Sequence, residues 1–131
     1  MTRRADAVHF KLVVMPYDHV VGSATFADKL FTARQAMVID SVEYVNPTGV
    51  ATDAVNFWII GIKAGTTVVA QWSCETGEEG VIAANTIVDM VISDDPDMRA
   101  AADDVISFFG TKAAAAVNIP AGRLVIHAHY I

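Results

Sequence analysis

A single cysteine, Cys74, leaves the chain no means of forming an internal disulfide, so its stability has to come from packing. Long apolar runs are missing as well. Nothing approaches the ~18 consecutive apolar residues that cross a bilayer as a helix, so no membrane span is expected. The opening, MTRRADAVHFKLVVMPYDH, has two arginines but only a short apolar patch interrupted by charge, and no small-residue cleavage site follows. It does not read as a signal peptide, and a product made in the cytoplasm is expected. Charge is scarce at 18% of residues, against a typical ~25%, and positive charge is scarcer still, with nine Lys/Arg against fifteen Asp/Glu. Without a basic stripe the chain cannot neutralise phosphates and release counterions, so a nucleic-acid partner is not expected. The glycines at 49, 61, 65, 77 and 80 never compose a phosphate-cradling loop followed by a helix, and no cofactor is expected.

What the chain has in quantity is apolar side chain: 53% of its 131 residues are hydrophobic. That length supports one domain with a real core and is too short for two ordinary ones. Residues 1–131 are therefore read as a single β-sandwich domain, with 1–6 as a flexible arm. Apolar segments fall at about 7–16, 19–26, 36–46, 54–63, 66–73, 81–92, 104–109, 112–119 and 123–131. Between them stand turn signals such as Asn46-Pro47-Thr48-Gly49, Lys63-Ala64-Gly65-Thr66, Gly77-Glu78-Glu79-Gly80 and Pro120-Ala121-Gly122. Short strands punctuated at this spacing predict an antiparallel β-sandwich of about eight strands.

Periodicity refines the picture. Val38, Asp40, Val42 and Tyr44 alternate with Ile39, Ser41 and Glu43, which predicts a half-exposed strand. In FWIIGIK both faces are apolar, as in a central strand covered on both sides. Leu124, Ile126, Ala128 and Tyr130 share the predicted inner face of the last strand, with Arg123, Val125, His127, His129 and Ile131 opposite. At most one or two short helices are expected, one near 96–102, where Pro96 suits a first helical position and Met-Arg-Ala-Ala-Ala favours helix. KAAAAV is helical by propensity, but Gly110-Thr111 before it and Pro120-Ala121-Gly122 after it lead to a reading as strand.

Candidate chemistry is sparse. His127 and His129, two apart on a strand, put both imidazoles on one face, a spacing that metal sites use. The chain ends two residues later, so further ligands would have to come from His9 and His19 at the other end. Histidines on a strand face or interface are the plainer reading. Cys74, in SCETGEEG, has acidic neighbours that disfavour a thiolate, and reads as a semi-buried structural thiol. Asp94, Asp95, Asp97, Asp103 and Asp104 lack the spacing of a helix-loop-helix calcium site. Trp58 and Trp72 suit sheet packing better than sugar platforms. Residues 75–104 hold nine acids and one arginine, and this segment reads as a solvated face or one opposed to a basic patch.

The run VIDSVEYVNPTGVATDAVNFWIIGIKAGTTVVAQWS, then an acidic segment ending in Ala-Asp-Asp-Val, then IPAGRLVIHAHYI, resembles small virion proteins of tailed bacteriophages over residues 32–131. These are head decoration, or cement, proteins with jelly-roll folds. The resemblance implies a non-enzymatic protein on the outer surface of the capsid, bound to the major capsid protein as a dimer or trimer. It brings no catalytic residues. Residues 1–31 fall outside it, and Arg3, Arg4 and Lys11 there are candidate capsid-binding residues through electrostatics. Two other classes stay open: a tail-fibre or baseplate module for a receptor or glycan, resting on the tryptophans, and a small cupin-like metal-binding protein, resting on His127 and His129.

Overall fold

The structure, a computed structural model, describes residues 12–92 and 99–131. Among these residues ten strands run in the order β1 (Leu12–His19), β2 (Phe26–Thr32), β3 (Met37–Val45), β4 (Trp58–Ala64), β5 (Thr67–Ser73), β6 (Val88–Asp89), β7 (Val91–Ile92), β8 (Arg99–Ala100), β9 (Val105–Lys112) and β10 (Gly122–Tyr130). They form two antiparallel sheets packed as a sandwich, one ordered β1-β10-β3-β6 with β8 also on β3, the other β2-β9-β4-β5-β7. Where β6 and β8 are taken as one interrupted strand beside β3, the alternation of chain between sheets is that of a jelly roll, two interleaved Greek keys. Between those two pieces the chain crosses to the other sheet, and β7 pairs with β5 at Ala70 and Gln71.

No helix occurs among the described residues. The predicted helix near 96–102 is corrected where it can be seen: Arg99–Ala100 is β8 on Met37 and Val38, and a turn follows, while 96–98 lie outside the described residues. The tract 112–119 is not a strand. β9 ends at Lys112, and Ala114 takes a positive φ in a turn that no extended pairing could accommodate. Nor is 19–26 a strand: Val20 to Thr25 form a connection, and the second strand is FADKLFT, whose central Asp and Lys hid it from the apolar pattern.

The core lies between the sheets, with Met37, Ile39, Val42, Tyr44, Trp58, Ile60, Ile62, Phe108, Leu124 and Ile126 all shielded from water. β10 faces as its alternation predicts, with Leu124, Ile126 and Ala128 buried and Tyr130 packed against the core. β3 departs from simple alternation. Ser41 pairs with His127 and Ile39 with Ala128, so Asp40 is the extra residue of a β-bulge and the inward phase shifts from Met37/Ile39 to Val42/Tyr44. β4 is central, as its two apolar faces predict, but its outer cover is one ring rather than another layer. Phe109 lies across Gly61, where a Cβ would collide with that ring and with the Ala70 carbonyl, and Lys63 Nζ sits 5.0 Å above the ring centroid.

Candidate functional site

The histidine pair lies on the outer face of the first sheet. Because the bulge turns both Asp40 and Ser41 outward, His129 Nδ1 meets Asp40 Oδ2 at 2.8 Å, while His127 Nε2 meets Glu43 Oε1 at 3.2 Å. Each imidazole thus engages a carboxylate across the β3–β10 pairing. Among the described residues no group of three His, Cys, Asp or Glu side chains is placed to hold a metal ion. His19 does not join them: it is on the inner face at the far end of β1, opposite Gly122, and His9 lies outside the described residues. Half-exposed ion pairs of this kind contribute little, so replacing both histidines with glutamine is expected to leave unfolding free energy within about 1 kcal/mol of wild type at neutral pH. Urea titration checks this, and stoichiometric zinc or iron in the purified protein would reverse the assignment.

The other candidates resolve into structure. Cys74 is fully rather than partly buried, and burial, with the Glu79 charge, pushes its thiol up to about 12, out of the nucleophilic range. Asp104 accepts the Ala101 N–H at 2.9 Å and shapes a turn, while Asp94, Asp95 and Asp97 lie outside the described residues. Trp58 donates its indole N–H to the Val117 carbonyl at 2.7 Å and Trp72 to the Gly80 carbonyl at 2.9 Å, so each anchors a loop. Arg3, Arg4 and Lys11 lie outside the described residues. The acidic segment does not form one face: Glu75, Glu78 and Glu79 fall at one end of the sandwich, and Asp103 and Asp104 at the other.

That first end gathers features the sequence reading missed. Strand directions bring the connections 20–25, 46–57, 74–87 and 113–121 together there, whereas the opposite end carries the short turns 33–36, 65–66 and 101–104. The four loops are stitched side by side. Gly22 and Ile119 exchange backbone hydrogen bonds, Ala113 N–H donates to the Phe57 carbonyl at 2.9 Å, and Val50 and Ile82 pair at 2.9 Å. Six of the ten large apolar side chains that are more than half exposed among the described residues stand on them: Val20, Val21, Val55, Val81, Ile87 and Val117. Connections are normally polar, so this placement demands a reason. The signal is present as valines, Val20-Val21 adjacent and Val55, Val81 and Val117 single, within glycine- and proline-punctuated stretches, and it reads as strand because valine favours strands.

Beneath these loops runs a buried polar relay. His19, 2% exposed, donates from Nδ1 to the Val20 carbonyl at 2.8 Å and accepts at Nε2 from the Tyr44 hydroxyl at 2.6 Å. Tyr44 in turn accepts from Asn46 Nδ2 at 3.1 Å. The same amide donates to the Pro120 carbonyl at 2.8 Å, and Asn46 Oδ1 accepts the Thr48 and Gly49 N–H groups. Three of the four loops are tied to one chain of hydrogen bonds. Burial pushes Tyr44 up to about 12 and His19 below its usual range, the hydrogen bond to the Val20 carbonyl and the nearby Asp28 and Asp18 only partly offsetting the latter.

The relay needs a neutral His19, because a protonated ring has no acceptor to offer the Tyr44 hydroxyl. A histidine depressed in the folded state binds fewer protons there than in the unfolded chain. Its contribution is full above the unfolded value of 6.5 and is lost as pH falls from there toward the lower folded value. Stability is therefore expected to begin falling as pH drops below about 6.5, before ordinary carboxylates start to titrate. In His19→Gln the slope over this window should flatten, and an unchanged slope in urea titrations would refute the assignment.

No family model matches the chain, and no curated protein matches it. Among solved structures, a chain in the structure of infectious bursal disease virus Gx strain matches at 11% identity and a TM-score of 0.41, over 92% of this chain and 33% of that one. The chain spans about a third of the length of the solved chain it matches.

Proposed function

We propose that the chain is a structural, non-enzymatic virion protein of a tailed bacteriophage, one that decorates the outside of the assembled head by binding the major capsid protein. The observation that carries this reading is the exposure of large apolar side chains on an otherwise well-buried jelly roll, at the loop end and at Leu12 and Val14 on β1. Such groups gain by burial against a larger surface, at roughly 25 cal/mol per Å2 removed from water. The sequence resemblance to phage cement proteins supplies the identity of that surface.

A homo-oligomer belongs to the same proposal. On the outer face of the first sheet Asp18 meets Arg123 at 3.5 Å, and Glu43 and Asp40 are hydrogen-bonded to the two histidines, so these polar side chains find partners within the face. Between those pairs stand Leu12, Val14 and Val125, a composition suited to a second copy. Any contribution of Arg3, Arg4 and Lys11 would add electrostatics to the capsid contact. The test is reinforcement: heads incubated with the protein should rupture at a higher temperature than undecorated heads. Unchanged rupture together with retention on host cells would favour a receptor-binding module instead. Light scattering at micromolar concentration should return a dimer or trimer of the 14.0 kDa chain, and a monomer mass would remove the oligomer from the account.

A further inference from the structure

The loop end combines an apolar cleft with loops whose own charged residues are all acidic. Between loops 46–57 and 113–121 lies a cleft of about 220 Å3 whose lining includes Val50, Ala51, Trp58, Ala116, Val117 and Pro120. Exposed Val20, Val21 and Val55 lie on the loops around it. The same four loops carry Asp53, Glu75, Glu78 and Glu79 and not one lysine or arginine. None of these carboxylates takes part in an ion pair among the described residues. The nearest cation in sequence, Lys112 at the end of β9, is held by the Ser23 carbonyl at 3.0 Å.

We infer that this end docks onto a protein surface that presents an aliphatic or aromatic side chain flanked by lysine or arginine. The apolar side chain enters the cleft, where it exchanges water for the accessible Ala51, Val117 and Pro120. The flanking cations meet the carboxylates of these loops, of which Asp53 and Glu79 also accept backbone N–H groups, and steer approach. Charge excludes the alternatives. Two copies of this end would set two rims of net negative charge against each other, Lys112 being the one cation hydrogen-bonded to these loops among the described residues, and nucleic acids or anionic lipid headgroups would be repelled. A glycan platform needs an open aromatic face, and Trp58 is buried with its N–H engaged.

The inference deepens the decoration reading, since it names the shell-facing surface and the chemistry of its partner, and it rests on that reading for the partner's identity. Two measurements keep the two separable. In the first, the 15N-labelled protein is titrated with a Lys-Lys-Phe-Lys-Lys peptide, with Glu-Glu-Phe-Glu-Glu and Lys-Lys-Ser-Lys-Lys as comparisons. Shifts confined to 20–25, 46–57, 74–87 and 113–121, and strong only for the first peptide, support the inference whether or not heads are bound; shifts on the β1–β10–β3 face, or none, overturn it. In the second, Val20→Asp/Val117→Asp, at positions about three-quarters exposed, is compared with Leu12→Asp/Val14→Asp for binding to undecorated heads. The loop variant should lose roughly tenfold or more in affinity, as loss of an interface centre does. Glu75→Lys/Glu78→Lys should lower the association rate and its salt dependence. Full binding by the loop variant, with loss in the sheet-face variant, overturns the inference and leaves decoration standing. Failure of wild type to bind heads overturns decoration alone.

Discussion

Asn46→Ala is expected to destabilise the protein by roughly 2–4 kcal/mol in urea titration, the range for stranding several buried polar groups at once. Asn46 is completely buried, and its amide serves four partners in three segments: Tyr44, Thr48, Gly49 and Pro120. Thr48 is exposed, so water can replace the acceptor it loses. Tyr44 has no such recourse, being 1% exposed, and the Pro120 carbonyl is only partly open. Asn46→Asp separates the roles. It keeps the acceptor for the turn at 46–49 but sets a carboxylate oxygen against the Pro120 carbonyl and removes the donor to Tyr44, so it should be no more stable than the alanine variant. Thr48→Ala should be nearly silent, within about 0.5 kcal/mol, as surface changes usually are. A similar small loss for Asn46→Ala would mean that the relay does not hold the loops.

Trp58→Ala should cost about 3–5 kcal/mol, the range for removing a buried aromatic from a core. The side chain is 2% exposed, packs against Phe26 at 6.0 Å between centroids, and holds the 113–121 loop through the Val117 carbonyl. Trp58→Phe preserves most of the apolar volume and loses the N–H donor, so its cost should be nearer 1–2 kcal/mol. Its more telling effect is local. Amide exchange should accelerate at 113–117 in the phenylalanine variant while β4 and β9 stay protected, because the tether is lost and the sheet is not. Uniform acceleration would show that the indole acts through global stability only.

The sequence carried the sandwich plainly where local pattern and tertiary role coincide. β4 and β5 follow from apolar runs between turn signals, and β10 from alternation that survives intact, with Leu124, Ile126 and Ala128 inside. It misled where a residue's role is decided by a distant partner. The phase of β3 changes at Asp40, and nothing in VIDSVEY marks that bulge; what answers Asp40 is His129, 89 positions later. β2 was hidden because Asp28 reads as a loop residue, although in place it accepts the Tyr17 hydroxyl at 2.8 Å across the joint between the sheets. The valines of 20–25 and 113–121 look like strand because apolar character cannot distinguish a residue buried in its own core from one kept for another surface.

The candidate site was the least legible part. Spacing points to His127 and His129, which sit on an open sheet face, and offers His19 only as a further metal ligand, whereas His19 is buried in the relay. Asn46 was recognised as a turn residue, which it is, but its second role depends on Pro120, 74 positions away. Spacing along a chain cannot reveal a hydrogen bond that only the jelly-roll crossover creates.

The most direct measurement is sedimentation of the purified protein with undecorated heads, at physiological ionic strength and in about 1 M salt, where the screening length falls to roughly 3 Å. Attachment through buried apolar surface predicts saturable cosedimentation that persists in high salt, with only its rate of onset slowed, including after deletion of residues 1–6. Protein that stays in the supernatant at both salt concentrations would contradict the proposed function, and release of the intact protein by salt alone would contradict the apolar attachment on which it depends.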